Sequence, residues 1–239
     1  REAADMILRD DNFSTIAKAV EQGRIIFRNI RKFVFYLLSC NLSELFVVLL
    51  ASLFAFPLPI LPLQILFLNV VTDIFPAFAL GVGEGSRNIM KDPPRPSDEP
   101  ILKRGHWMGI GSYGILISIA VLASLTIALS WFGMPTNGGS SQVITVSFLT
   151  LAFSQLWHVF NMRDKGSGFL RNDVTLNRYV WAALGLCTGL LILAVYLPGL
   201  STVLGTVHIG LRGWGLALGM SAIPWVVGQV WNSLAPEVP

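Results

Sequence analysis

Charged residues are absent from four long runs of the chain: Leu45 to Thr72, Trp107 to Met162, Tyr179 to Leu211 and Gly213 to Pro236. About 20 predominantly apolar residues carry a helix across the hydrocarbon core of a bilayer. The second run is long enough for two crossings and is broken by "GMPTNGGSS" (Gly133–Ser141), a cluster of turn residues. "FPLPILP" (Phe56–Pro62) reads as a proline-rich hairpin, and "YLPGLS" (Tyr196–Ser201) as a helix stop. The pattern predicts six spans, at about 33–56, 62–82, 107–132, 142–162, 176–197 and 211–233. The expected fold class is all-α, a polytopic membrane bundle of six transmembrane helices.

Upstream of the first span the pattern becomes amphipathic. Phe13, Ile16, Ala17, Val20, Ile26, Phe27 and Ile30 keep roughly helical spacing, while Lys18, Arg24, Arg28 and Arg31 take other faces. Asp11 and Asn12 are candidate N-caps. Only Gly23 weakens the stretch before the first span. One long helix running from the aqueous phase into the bilayer is expected. Such an element could transmit motion; a basic interfacial helix on anionic lipid fits the same pattern.

Composition agrees with a membrane protein. Of the 239 residues, 53% are apolar and 13% charged, about half the charged share of an ordinary globular domain. All 17 Lys and Arg except Arg212 precede the first span or fall in the connections after spans two and four. By the positive-inside rule both ends of the chain are cytoplasmic. The net charge of +3 reflects this topology and gives no ground for nucleic acid as a partner. Cys40 and Cys187 both lie in predicted spans, which supports neither a disulfide framework nor a zinc site. Trp107, Trp131, Trp157, Trp181 and Trp231 fall mostly near span ends, as interface anchors do. The polar connection Gly83–His106 reads as a solvated linker or a docking loop. The opening, "REAADMILRDDNFSTIAKAVEQGRIIFRNIRKF", is expected to start partway through a cytoplasmic domain.

Of the 14 Asp and Glu, Glu44 and Asp73 alone fall inside predicted spans. An ionised carboxylate there is costly and is normally paired, protonated or holding a cation. Arg178 and Arg212 stand only at span ends, so no intramembrane Lys or Arg is available as a partner. "SCNLSE" places Asn41 three residues before Glu44, and "NVVTD" places Asn69 and Thr72 at i−4 and i−1 of Asp73. Helical spacing puts each set on one face, and a short hairpin joins the two spans. All five side chains offer oxygen, which suits a hard cation such as Ca²⁺. Pro76 has no N–H, so the Thr72 carbonyl loses its helical donor and becomes a further candidate ligand. Gln155, in span four, is a possible additional ligand. Its neighbour His158 reads as structural. Interhelical hydrogen bonding with a protonated acid is the competing reading, and it accounts less well for two acids with three polar partners.

Four segments in order, "EAADMILRDDNFSTIAKAVEQGR", "SCNLSE", "PLQILFLNVVTD" and "IMKDPPR", resemble the C-terminal membrane half of type II P-type cation-transporting ATPases, the calcium-pump-like group. The match holds through Arg1–Arg104; beyond it rests on span layout. The resemblance implies that residues 1–32 are the end of a phosphorylation domain and a stalk helix, and that 33–239 are pump helices five to ten. It makes Asn41, Glu44, Asn69, Thr72 and Asp73 metal ligands, with Asp73 central, and gives the "IMKDPPR" loop a docking role. The phosphorylated aspartate, nucleotide-binding and actuator domains and the first four helices are absent. This fragment alone is expected to be inactive, with ATP and Mg²⁺ bound elsewhere in the parent. Where reticulum calcium pumps carry a ligand glutamate in span four, Ala152 aligns here, which favours one Ca²⁺ per cycle. Ile74 replaces a glycine common after the central aspartate. The resulting expectation is a bacterial plasma-membrane pump exporting Ca²⁺. Pumps for Na⁺, K⁺ or Mn²⁺, a secondary cation/proton transporter and a stand-alone membrane subunit remain open at this point.

Overall fold

The computed structural model of the chain describes residues 12–85, 89–96, 99–133, 142–164, 167–168 and 171–234. The candidate cap Asp11, most of the turn tract after Gly133 and parts of the Gly83–His106 connection lie outside these residues. The described chain is helical. Its elements are α1 (Phe13–Leu53), α2 (Pro62–Leu68), a π-helical turn (Asn69–Asp73), α3 (Ile74–Gly81), α4 (Arg104–Phe132), α5 (Gln142–His158), α6 (Arg178–Tyr196), α7 (Leu200–Leu204) and α8 (Gly210–Leu234).

α1 is one uninterrupted helix of 41 residues. At 1.5 Å per residue it is about 60 Å long, twice the roughly 30 Å hydrocarbon core, so a large part of it stands outside the bilayer. Asn12 caps it, its side chain accepting from the Ser14 N–H at 3.0 Å. The helix ends where Ala55 takes a positive φ of 53° and Phe56 N–H bonds back to the Ala51 carbonyl at 2.9 Å. Tyr36, Ser39, Cys40, Ser43, Glu44, Val47 and Ala51 form its buried stripe at helical spacing.

Among the described residues five helices are long and apolar enough to cross a membrane: Phe13–Leu53, Pro62–Gly81, Arg104–Phe132, Gln142–Met162 and Arg178–Tyr196. The sixth expected span is present as α8, 25 residues long, but it falls outside that group. Gly213, Gly215, Gly219, Gly228, Gln229 and Asn232 dilute its hydropathy. Gly213 and Gly228 serve close packing instead, and Gln229 and Asn232 bond to Phe160 and Asn161. A Cβ at Gly228 would lie 2.5 Å from Asn161 Nδ2 and 2.7 Å from the Tyr113 ring, so glycine lets α8 approach α4 and the turn Val159–Met162 after α5 closely.

α5 is the axis of the bundle. Its apolar stretch is 94% buried, against 33–44% for the other qualifying spans. A helix apolar on all sides is one surrounded on all sides. Hydrogen bonds stitch the neighbours together: Ser118 Oγ donates to the Ser43 carbonyl at 3.0 Å, Ser124 and Thr150 share one at 2.9 Å, and Trp157 Nε1 donates to Ser221 at 3.2 Å.

Four of the five basic residues of α1 are engaged by the chain's own loops. Arg24 donates to the carbonyls of Ile89 and Asp92 at 3.1 and 2.7 Å. Arg28 pairs with Asp92 at 2.6 Å and with Asp164 at 3.4 Å. Lys32 pairs with Asp164 at 2.7 Å and also with Asp173. The connections after α3 and after α5 are thereby tied to one stretch of α1. Partly exposed pairs of this kind contribute at most about 1 kcal/mol each; their value here lies in number and in fixing loop position. Of the two readings of α1, the lipid-bound one loses its free basic face at Arg24, Arg28, Arg31 and Lys32.

Glu99 accepts from Arg31 at 2.9 Å and lies 3.5 Å from Lys103. Burial alone would push its carboxyl up, but the Arg31 hydrogen bond and the charges of Lys103 and Arg31 outweigh it and hold the group below the usual glutamate range. A depressed pKa contributes stability that is present above the unfolded value and lost as pH falls through the folded one. Amide protection across residues 99–103, the exchange rate taken relative to the unprotected rate at the same pH, should therefore persist through the ordinary glutamate range, about pH 4.3, and be lost only below it. Loss of protection above that pH would show that the pairing does not anchor the loop.

Candidate cation site

The second span is not a plain helix. Its middle widens into the π-helical turn Asn69–Asp73, and proline explains why. The Pro76 ring crowds the carbonyl four residues back, that of Thr72, and supplies no N–H to it. Single-turn π bulges inside α-helices are frequent at functional sites. Thr72 Oγ1 fills part of the gap, bonding back to the Leu68 carbonyl at 2.9 Å. The freed Thr72 carbonyl, expected from the sequence as a candidate ligand, is occupied by a side chain instead: Tyr36 Oη donates to it at 2.7 Å.

The two carboxylates are 5% exposed each and are served by different partners. Asn41 Nδ2 donates to Asp73 Oδ2 at 2.9 Å and to the Leu37 carbonyl at 2.9 Å. The other oxygen, Asp73 Oδ1, is buried and has no partner among the described residues. Glu44 Oε1 accepts from Gln155 Nε2 at 3.0 Å. Gln155 Oε1 accepts from Thr72 Oγ1 at 2.8 Å, and Gln155 Nε2 lies 3.4 Å from the Cys40 carbonyl. Gln155 is wholly buried and thus joins three helical segments through one amide, giving to a carboxylate and taking from a hydroxyl.

Of the six residues singled out from the sequence, five are connected: Asn41 with Asp73, and Glu44 with Gln155 and Thr72. Asn69 stands apart. Its side chain makes no hydrogen bond among the described residues, and its Oδ1 is buried without a partner. The π turn changes the angular step between Asn69 and Asp73 from that of an α-helix. In span four it is Gln155, not Ala152, that reaches the cluster. Ala152 is buried in the apolar core, so the span-four position used to argue for a single ion is corrected to Gln155. Ser154 bonds back to the Thr150 carbonyl at 2.7 Å. His158 lies behind Tyr36, the rings stacked at 6.1 Å, and against Tyr113 at 4.4 Å, outside the oxygen cluster.

Among the described residues no group of three His, Cys, Asp or Glu comes together. The donor set is two carboxylates with neutral amide and hydroxyl oxygens, the type favoured by hard cations and poor for zinc or copper. Asp73 Oδ1 and Asn69 Oδ1 are the buried acceptors left free for such an ion. The cluster is also open on one side. Asn41 is exposed although bonded to Asp73, and Leu45, Leu49, Val70 and Ile74 beside it are exposed as well.

This arrangement meets an independent match. Residues 57–234 fit the family model described as cation transporting ATPase, C-terminus. The chain belongs to the cation transporting ATPase family, in its C-terminal region. It is 41% identical over 224 residues to a calcium-transporting ATPase of Bacillus subtilis (strain 168), covering 94% of this chain and 25% of that protein. It is 34% identical to calcium-transporting ATPase 1 of Bacillus cereus (strain ATCC 10987 / NRS 248), covering 95% of this chain and 27% of that one. To calcium-transporting ATPase type 2C member 2 of Homo sapiens it is 32% identical, over 96% of this chain and 24% of the relative. The chain thus spans about a quarter of the length of the relatives it matches. As a cation-transporting ATPase segment, it contributes membrane helices and the cluster around Asp73.

Proposed function

We propose that this chain is the C-terminal membrane part of an ATP-driven pump that exports Ca²⁺ from the cytoplasm, and that it supplies ligands to the transported ion. The observation that carries the reading is the convergence of two buried carboxylates, Glu44 and Asp73, with neutral oxygen groups and, among the described residues, no cationic side chain. Two negative charges match one Ca²⁺, and Gln155 adds an amide without a third charge; one ion per cycle follows. Asn41, Thr72 and Asn69 complete the oxygen set. The open side beside Asn41 is where the preceding helices of the pump would close the site. Residues 1–32 belong with the phosphorylation domain and stalk, and 33–239 with pump helices five to ten. ATP and Mg²⁺ act in the other domains, so this segment alone hydrolyses nothing. The ion pairs of Arg28 and Lys32 support a stalk that moves with the connections after α3 and α5. The bacterial relatives and the Lys/Arg distribution support a bacterial plasma membrane with both ends cytoplasmic. Protons returning on the same carboxylates would neutralise the emptied site.

The test is ATPase activity of the full-length pump in membranes, with Mg²⁺ constant and Ca²⁺, Mn²⁺, Na⁺ or K⁺ varied. Stimulation by micromolar Ca²⁺, with one Ca²⁺ moved per ATP, is expected. Stimulation by Na⁺ or K⁺ alone would overturn the ion, and a measured ratio of two would overturn the charge-matching argument. No stimulation by any of the four would point to a secondary transporter.

A further inference from the structure

Pro76 withholds one N–H from the helix that carries Asp73. In an α-helical register that N–H would serve the carbonyl four residues back, Thr72; in the wider π register it would serve the one five back, Val71. Distant side chains reach both of these carbonyls. Tyr36 Oη, on α1, donates to the Thr72 carbonyl at 2.7 Å. Cys187 Sγ, on α6, donates to the Val71 carbonyl at 3.0 Å. Both donors are wholly buried, and the thiol is free. α6 carries none of the oxygen residues of the cation site. Its other buried residues are Val180, Ala183, Leu184, Leu191, Ala194 and Val195, so Cys187 is the one side chain on that face able to donate.

We propose that Cys187 is a positioning residue for cation binding: together with Tyr36 it stands in for the missing Pro76 N–H and holds the π turn in the shape that presents Thr72 and Asp73. The Val71 carbonyl belongs to the peptide plane that leads into Thr72. Fixing it limits rotation of the backbone immediately before both oxygen-bearing residues. α6 thereby acts on the site through backbone, without touching the ion. The inference rests on the functional reading above, in which that site holds the transported cation.

Alanine and serine are nearly equal in size and both remove the sulfur, but serine alone can donate. In the full-length pump, Cys187→Ala should raise the Ca²⁺ concentration for half-maximal phosphorylation about threefold, the strength of an average interhelical side-chain bond in a bilayer. The maximal level should be unchanged, and Cys187→Ser should recover most of the shift. Equal shifts in both variants would assign the effect to lost volume and overturn the proposal, as would an unshifted Cys187→Ala. The S–H infrared band in the wild-type minus Cys187→Ala difference spectrum should lie below the free-thiol position; a band at that position overturns the hydrogen bond. A wild-type pump with no cation-dependent phosphorylation would instead overturn the functional reading, and this proposal with it.

Discussion

Asp73→Asn in the full-length pump is expected to abolish Ca²⁺-stimulated ATPase activity while leaving the protein inserted and folded. The substitution keeps size and shape, and the new amide oxygen can still accept from Asn41, whose bond to Asp73 is 2.9 Å. What disappears is one of two negative charges facing a divalent ion. A charge left uncompensated in the membrane interior costs several kcal/mol, and each 1.4 kcal/mol is about tenfold in affinity. A loss of at least a hundredfold in apparent affinity follows, enough to remove stimulation across the micromolar range. Retained transport with unchanged Ca²⁺ dependence would show that Asp73 does not face the ion.

Gln155→Leu should have the next largest effect. Leucine roughly fills the space but ends both bonds at once, leaving Glu44 Oε1 and Thr72 Oγ1 without the amide that joined them. An unsatisfied buried polar group costs about 1–3 kcal/mol, and here the cost falls on residues that must hold a fixed arrangement to bind. The half-saturating Ca²⁺ should rise about tenfold or more, read from ATPase activity against free Ca²⁺. An unchanged value would mean that Glu44 and Thr72 are positioned by α1 and the π turn alone. That would also remove the reason for including span four in the site.

Much of the architecture was readable because the bilayer imposes long charge-free runs and leaves few acids inside them. Glu44 and Asp73 were conspicuous for that reason, and the 41-residue helix was visible as periodicity without a breaker. Two details were not legible in the sequence, each for a physical reason. α5 is apolar and buried on every side, so it has no polar face by which to set its angular phase; whether Ala152 or Gln155 faced the acids was undetermined until the helices were packed. α-Helical spacing puts Asn69 on the Asp73 face, and the π turn at Asn69–Asp73 changes that angular step, leaving Asn69 Oδ1 a buried acceptor outside the hydrogen-bonded cluster. Pro76 pointed to the freed Thr72 carbonyl but not to what fills it. Tyr36 and Cys187 reach this helix from 36 and 116 positions away, and a tyrosine or a cysteine in an apolar run carries no local signal of such a contact.

The continuity of α1 sets a rule for length. Lys32, fastened to Asp164 and Asp173, and Asn41, bonded to Asp73, sit on one unbroken helix, about 14 Å apart along its axis. Adding or deleting one residue between them would turn one attachment by about 100° relative to the other and slide it by about 1.5 Å. Side chains in the interval can change, but its residue count cannot. The segment behaves as a gauge block between the ionic fastening and the carboxylate, and insertions or deletions should be excluded there even where substitutions are tolerated.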